Sequence, residues 1–164
     1  MLKIRNASIK DIPLIQELTY QVWPQTYAPI LSNEQIEYML EMMYSDTSLQ
    51  QQMRDGARFL IAYDDKVPVG FAAYQEIKPA DFKLHKIYVL GTWQGKGTGR
   101  FMINHIIEEI RKQGASTLQL QVNRHNKAKD FYELLGFTII EEADFDIGNG
   151  YFMNDYVMNL ALNK

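Results

Sequence analysis

A single α/β domain is predicted for this sequence, on three observations. The chain has 164 residues, room for one ordinary domain. Its first third carries helical spacing of apolar residues, and the remainder switches to strand-like alternation. Two amphipathic helices interrupt the strand-rich part, so helices and strands share one core. Hydrophobic residues make up 46% and charged residues 23%, a balance that supports a packed domain rather than a disordered tail.

Each element follows from local chemistry. Leu2–Asn6 reads as a first strand. Ser8-Ile9-Lys10-Asp11 resembles a capping box with Asp in place of Glu, and opens a helix to about Val22. Its apolar stripe is Ile12, Leu14, Ile15, Leu18 and Val22. Pro24 and Pro29 bracket an irregular aromatic stretch holding Trp23 and Tyr27. Ser32-Asn33-Glu34-Gln35 fits a full capping box, so a second helix runs to about Tyr44. A third, Thr47–Arg54, ends at Gly56.

Strands follow. Arg58–Tyr63 and Val67–Ile77 flank the hairpin turn Asp64-Asp65-Lys66, and Phe82–Leu90 is a third. A Gly-rich turn leads into a helix from about Gly97 to Lys112, with Phe101, Ile103, Ile106, Ile107 and Ile110 on its buried face. Thr117–Val122 alternates cleanly, and Asn126–Leu135 is a shorter helix stopped by Gly136. Phe137–Phe145 and Tyr151–Leu162 form a final hairpin around Gly148-Asn149-Gly150.

Several chemistries are excluded by composition. The chain has no cysteine, which removes disulfides, thiolate metal sites and a Cys nucleophile. His85, His105 and His125 lack the paired spacing of a zinc helix, so no metal is expected. No serine sits in a G-x-S-x-G frame, and Lys96 is followed by Gly97 rather than the Ser or Thr of a phosphate-binding P-loop. A net charge of −3 disfavours nucleic acid and anionic membranes as partners. The start, Met1-Leu2-Lys3-Ile4-Arg5, has no apolar signal core, and no apolar run approaches a membrane span, so a cytoplasmic location is expected.

The most informative stretch is Gln94-Gly95-Lys96-Gly97-Thr98-Gly99-Arg100, between a strand and an amphipathic helix. The first amides of a helix have no partner within it, and its dipole is positive there. Small residues let a phosphate approach the backbone, and Lys96 and Arg100 add positive charge. Counting from Gly95 puts Arg100 where a dinucleotide fingerprint needs its last Gly, so that class does not fit.

Gln94-x-x-Gly97-x-Gly99 resembles the Q/R-x-x-G-x-G/A signature of the GNAT acetyltransferases. Ile87-Tyr88-Val89 is similar to the family strand that holds the pantetheine arm, and Asn126 to Phe137 is similar to its second motif. Lys86–Phe137 and the ending Asp155-Tyr156-Val157-Met158 resemble the PaiA-type polyamine acetyltransferases within that family. The resemblance implies a mixed, mostly antiparallel sheet of about seven strands flanked by helices, splayed at the acetyl-CoA site, with residues 1–164 as one domain.

It further implies N-acetyl transfer from acetyl-CoA to a primary amine, a polyamine among the candidates, by direct attack in a ternary complex. Acetylation of a protein N-terminus or lysine, and a CoA-sensing domain without turnover, remain the alternatives. The expected cofactor contacts are Ile87, Tyr88, Val89, Gln94, Gly95, Lys96, Gly97, Thr98, Gly99, Arg100, Asn126 and Lys129. For Lys129 a solvated helix charge is the competing reading. Tyr132 matches the family tyrosine that protonates the leaving thiolate, the alternative being a packing aromatic.

Lys83 stands where the family often places a catalytic Glu, and a protonated lysine accepts no proton. His85, on the same strand face by alternation, is the candidate base, with a water relay as the alternative. For the acceptor, the first helices and last hairpin offer Trp23, Tyr27, Glu34, Tyr38, Glu41, Tyr44, Asp144, Asp146 and Asp155, residue types that suit a cationic amine. The expected partners are that small-molecule amine and, as an open option, a second copy of the chain as a homodimer.

Overall fold

The computed structural model describes residues 1–162. Strand β1 (Leu2–Asn6) is followed by a short 3₁₀ turn and helices α1 (Ile12–Tyr27), α2 (Asn33–Tyr44) and α3 (Asp46–Arg54). Then come β2 (Arg58–Asp64), β3 (Val67–Lys78), β4 (Asp81–Val89), α4 (Thr98–Lys112), β5 (Thr117–Asn123), α5 (Ala128–Leu134), β6 (Thr138–Gly148) and β7 (Tyr151–Ala161). The seven strands form one sheet in the order β1-β2-β3-β4-β5-β7-β6. All neighbours run antiparallel except β4 and β5.

Two apolar cores cover the two faces of the sheet. Met102, Ile103, Ile106 and Ile110 of α4 pack with Leu84, Leu118, Leu120 and Tyr132 on one face. Ile15, Leu18, Trp23, Ile36, Met39, Tyr44 and Leu49 from α1–α3 pack on Phe59, Ile61, Phe71 and Ala73 on the other. Burying a large side chain of this kind contributes about 1.5–3 kcal/mol.

Two helices differ from expectation. Helix α1 runs unbroken through Pro24 to Tyr27, instead of stopping near Val22. The carbonyl that Pro24 leaves unpaired belongs to Tyr20, which is 53% exposed and so lies on the solvent side, while Trp23 stays buried in the core. At α2, the Ser32 Oγ accepts from the Gln35 amide (3.1 Å) as a cap should. The Gln35 side chain does not complete the box; it donates instead to the Phe152 carbonyl (2.8 Å), tying α2 to β7.

Two irregularities of β4 shape the rest of the molecule. It pairs with β5 only from Asp81–Leu84 against Thr117–Leu120. Beyond Leu84, β5 stays with β7 and β4 stays with β3, so the sheet splits. At the same place the β3 register jumps, Ala73 facing Lys86 and Tyr74 facing Leu84, which leaves His85 as the extra residue of a bulge.

Candidate active site

The split opens a cleft of about 1250 Å³ between β4, β5, the Gly-rich turn, α1 and the start of α5. Its β4 wall carries backbone donors. The Leu90 amide donates to the Val69 carbonyl of β3 (2.8 Å). Alternation along the strand therefore turns the amides and carbonyls of Ile87 and Val89 the other way, into the split. Gln94 Nε2 donating to the Val89 carbonyl (2.9 Å) fits that orientation. Strand β5 no longer reaches these groups, so the split leaves strand donors facing an open space. The Tyr88 ring packs away among Trp23 and Phe71, with its hydroxyl 3.1 Å from that of Tyr27.

The mouth of the cleft is the start of α4. Gly97 caps it at φ +82°, a left-handed conformation that a side chain resists, with open space where a Cβ would stand. Gly99 serves packing: a Cβ there would meet the Phe131 ring at 3.1 Å. Gly95, Gly97, Gly99, Gln94 and Arg100 line the cleft. Thr98 is buried, its hydroxyl donating to the Trp93 carbonyl (3.1 Å), and so closes the turn. Lys96 is exposed and is not among the lining residues.

Across the cleft, Asn126 Oδ1 accepts from the Ala128 amide (2.9 Å) and shapes the entry to α5. Lys127 and His125, not among the expected cofactor contacts, line the wall beside it. Lys129 lies outside the cleft lining, paired with Glu133 (3.1 Å) and Asp130 (3.7 Å). Tyr132 lines the cleft and is 8% exposed. No protein group among the described residues bonds its hydroxyl, and burial holds its pKa well above the ordinary phenol value.

At the apex of the split, the β4 bulge gathers charge. Leu84 and Ile87 face the α4 core, whereas Lys83, His85, Lys86 and Tyr88 all lie on the α1–α3 side. Lys83 Nζ donates to Gln121 Oε1 (2.5 Å), and Gln121 Nε2 donates to Asp155 Oδ2 (3.3 Å). Burial lowers the Lys83 pKa and raises that of Asp155. Lys86 is 8% exposed, its ammonium 4.4 Å from the centre of the Tyr44 ring. Loss of water, then the charge of Lys83, pulls it down to about 8.

His85 has a defined tautomer. Gln75 Nε2 donates to the Asp55 carbonyl (2.7 Å), which fixes the amide so that its Oε1 accepts from His85 Nε2 (3.0 Å). The Nδ1 lone pair is then the free acceptor. Solvent reaches the ring, yet the cleft walls remove enough water, with Lys83 and Lys86 adding repulsion, to lower the pKa to about 4.

The acids expected to attract a cationic acceptor are mostly elsewhere. Asp144 pairs with Arg124, and Asp146 accepts from the Gly148 amide (2.8 Å). Glu34, Glu41 and Tyr38 do not line the cleft; Asp155, Trp23, Tyr27 and Tyr44 do. Lys86, Gln75 and Gln121 were missed in the sequence, because β4 also carries Asp81, Lys83 and His85 and alternation singles out none of its charges as buried.

Comparison with known proteins gives the same architecture. The sequence profile of the acetyltransferase (GNAT) domain matches residues 27–157. The crystal structure of PaiA N-acetyltransferase from Thermoplasma acidophilum in complex with coenzyme A superposes with a TM-score of 0.83 at 26% identity, covering 98% of this chain and 99% of that one. Spermidine N(1)-acetyltransferase of the same organism is 28% identical over 149 residues, 87% of this chain and 91% of that protein. The L-methionine sulfoximine/L-methionine sulfone acetyltransferase of Pseudomonas aeruginosa is 28% identical over 142 residues, 83% of this chain and 80% of its own. With the split sheet, the helix start at its mouth and a profile spanning most of the chain in agreement, this protein belongs to the GNAT N-acetyltransferases and uses acetyl-CoA.

Proposed function

We propose that the chain transfers the acetyl group of acetyl-CoA to the primary amine of a small molecule, by direct attack within a ternary complex. One observation carries this reading: the amides of Ile87 and Val89 face an open split whose mouth is the α4 N-terminus at Gly97. Acetyl-CoA supplies a reactive thioester. The Ile87 and Val89 amides hold the pantetheine arm and stabilise negative charge developing on the carbonyl oxygen, an effect worth a few kcal/mol per donor. Gln94, Gly95, Gly97 and the α4 start receive the pyrophosphate, with Lys96 and Arg100 supplying charge. Asn126 and Lys127 close the opposite wall.

As the new N–C bond forms and the C–S bond breaks, the amine gives up one proton and the thiolate takes one. Tyr132 donates to the thiolate, its ring buried and its side chain lining the cleft. His85 accepts the amine proton at Nδ1, directly or through water. Its low pKa keeps it neutral across physiological pH, with its lone pair free but less basic than an ordinary imidazole. Lys83 serves no proton transfer, since Gln121 holds it as a donor. The setting is cytoplasmic.

The relatives act, by their names, on acceptors as different as spermidine and methionine sulfone, so the acceptor is a property of each cleft. The test is CoA release with polyamines, amino acids and peptides, beside thermal melts with acetyl-CoA. At 100 times its dissociation constant the cofactor is expected to stabilise the fold by about 2.7 kcal/mol. Absence of any melting shift at millimolar acetyl-CoA would overturn the reading.

A further inference from the structure

The acceptor end of the cleft has the wrong charge for a polyamine. Although the whole chain carries a net charge of −3, the cleft is lined by Lys83, Lys86, Arg100 and Lys127 against Asp55 and Asp155. Arg100 and Lys127 stand at helix starts on the cofactor side, where phosphates use them. Lys83 and Lys86 stand at the apex, on the face covered by α1–α3. Asp155 is bridged to Lys83 through Gln121, and burial raises its pKa. The Asp55 side chain accepts from Gln51 Nε2 (2.8 Å).

Lys86 is therefore an oddity. It is nine-tenths buried, it lines the cleft, and among the described residues it has neither a carboxylate nor a hydrogen-bond partner. The face of the Tyr44 ring lies beneath its ammonium (4.4 Å), which borders the cleft. Beside the same ring, the buried Trp23 Nε1–H also lacks an acceptor. A buried charge of this kind is retained at a cost unless something completes it. The missing chemistry is anionic. Met39, Met43 and Trp23 give this wall apolar surface, with Gln35 and Gln52 beside them.

We propose that Lys86, with Lys83 behind it, binds the carboxylate of a small apolar amino acid and so presents that acceptor's α-amine for acetylation. The assignment deepens the acetyltransferase reading and rests on it for the amine, while the carboxylate contact stands on the cleft alone. His85, two atoms of chain from Lys86 along the bulge, is then next to the amine rather than the carboxylate, because a neutral imidazole acceptor and two ammonium donors divide those roles.

The experiment compares L-leucine and L-methionine with their amides, and with spermidine, in two readouts on the full chain. One is kcat/KM by CoA release; the other is calorimetric binding to protein saturated with CoA. The amide's less basic amine favours it intrinsically, so a preference for the carboxylate reports the site. The acids are expected to exceed their amides about tenfold to a hundredfold in both readouts, the effect of one hydrogen bond to a charged group. In Lys86→Met that preference is expected to vanish while acetyl-CoA affinity holds. Carboxylate-selective, Lys86-dependent binding without turnover would keep the carboxylate site and sink the acetyltransferase reading. Turnover in which amides or spermidine equal the amino acids would keep the enzyme and overturn the proposal, as would equal binding of acid and amide.

Discussion

The two ends of the cleft are built from different materials. The cofactor end is backbone: strand amides released at Ile87 and Val89, a left-handed Gly97, and the unpaired start of α4. The acceptor end is side chains brought from many elements, with Lys83, His85 and Lys86 from β4, Gln75 from β3, Gln121 from β5 and Tyr44 from α2. Backbone donors depend on local conformation and tolerate many sequences; gathered side chains define one ligand. A cleft built this way can keep its backbone end while substitutions rewrite its side-chain end.

The largest expected effect lies where the ends meet. Tyr132→Phe keeps the ring that packs near Phe137 and removes only the hydroxyl. A fall in kcat of about 10²–10⁴ with unchanged acetyl-CoA affinity is expected, and an acyl donor with a more acidic thiol should partly rescue it. A kcat within a few-fold of wild type, with chemistry rate-limiting, would return Tyr132 to a packing role.

Breaking the cofactor end comes next. Gly97→Val puts a branched side chain at φ +82° into open space that the proposed pyrophosphate site occupies. Strain costs about 1–2 kcal/mol of stability. Acetyl-CoA binding should weaken well beyond what that strain explains, while the acid-over-amide preference of the acceptor end survives. Unchanged acetyl-CoA affinity would contradict the loop assignment.

The acceptor end is sharpened by pH. Lys86 sits at about 8 instead of 10.5, so between those values the native state holds fewer protons than the unfolded chain. Stability from this group therefore rises as pH climbs from 8 to 10.5, and below 8 its burial costs about 3 kcal/mol. Lys86→Met is expected to raise Tm at pH 7 and to lose its advantage over wild type near pH 10.5. A variant less stable than wild type at pH 7 would show that the ammonium is satisfied in the free protein.

The smallest effect is at His85. With its pKa near 4, the acid limb of kcat/KM is expected there rather than at the ordinary 6.5. His85→Ala should lower turnover about tenfold or more, flatten that limb and leave acetyl-CoA binding alone. A profile identical to wild type would favour proton removal by water.

Legibility in the sequence follows the same division. Strand alternation in Thr117–Val122, the apolar spacing of α4 and the glycines around Gly97 are local signals, and each element appears within a few residues of its expected bounds. Pro24 misled because a proline's effect on a helix depends on where the orphaned carbonyl points, and that is set by which face is buried. The expectation that Lys83 and His85 share a face by alternation holds in outcome, but the bulge adds Lys86 to that face, which alternation forbids.

Sequence by itself determined the class of fold, the order of its elements and the Gly-rich turn that opens α4, because each rests on conformational preferences within a few neighbouring residues. Tertiary structure alone decided the parting of β4 from β5, the bulge at His85 and the charge of the acceptor wall. Those depend on which strand runs out of partners and which side chains are then forced to share a space. Such facts are fixed by contacts between residues far apart in the chain, where no local pattern records them.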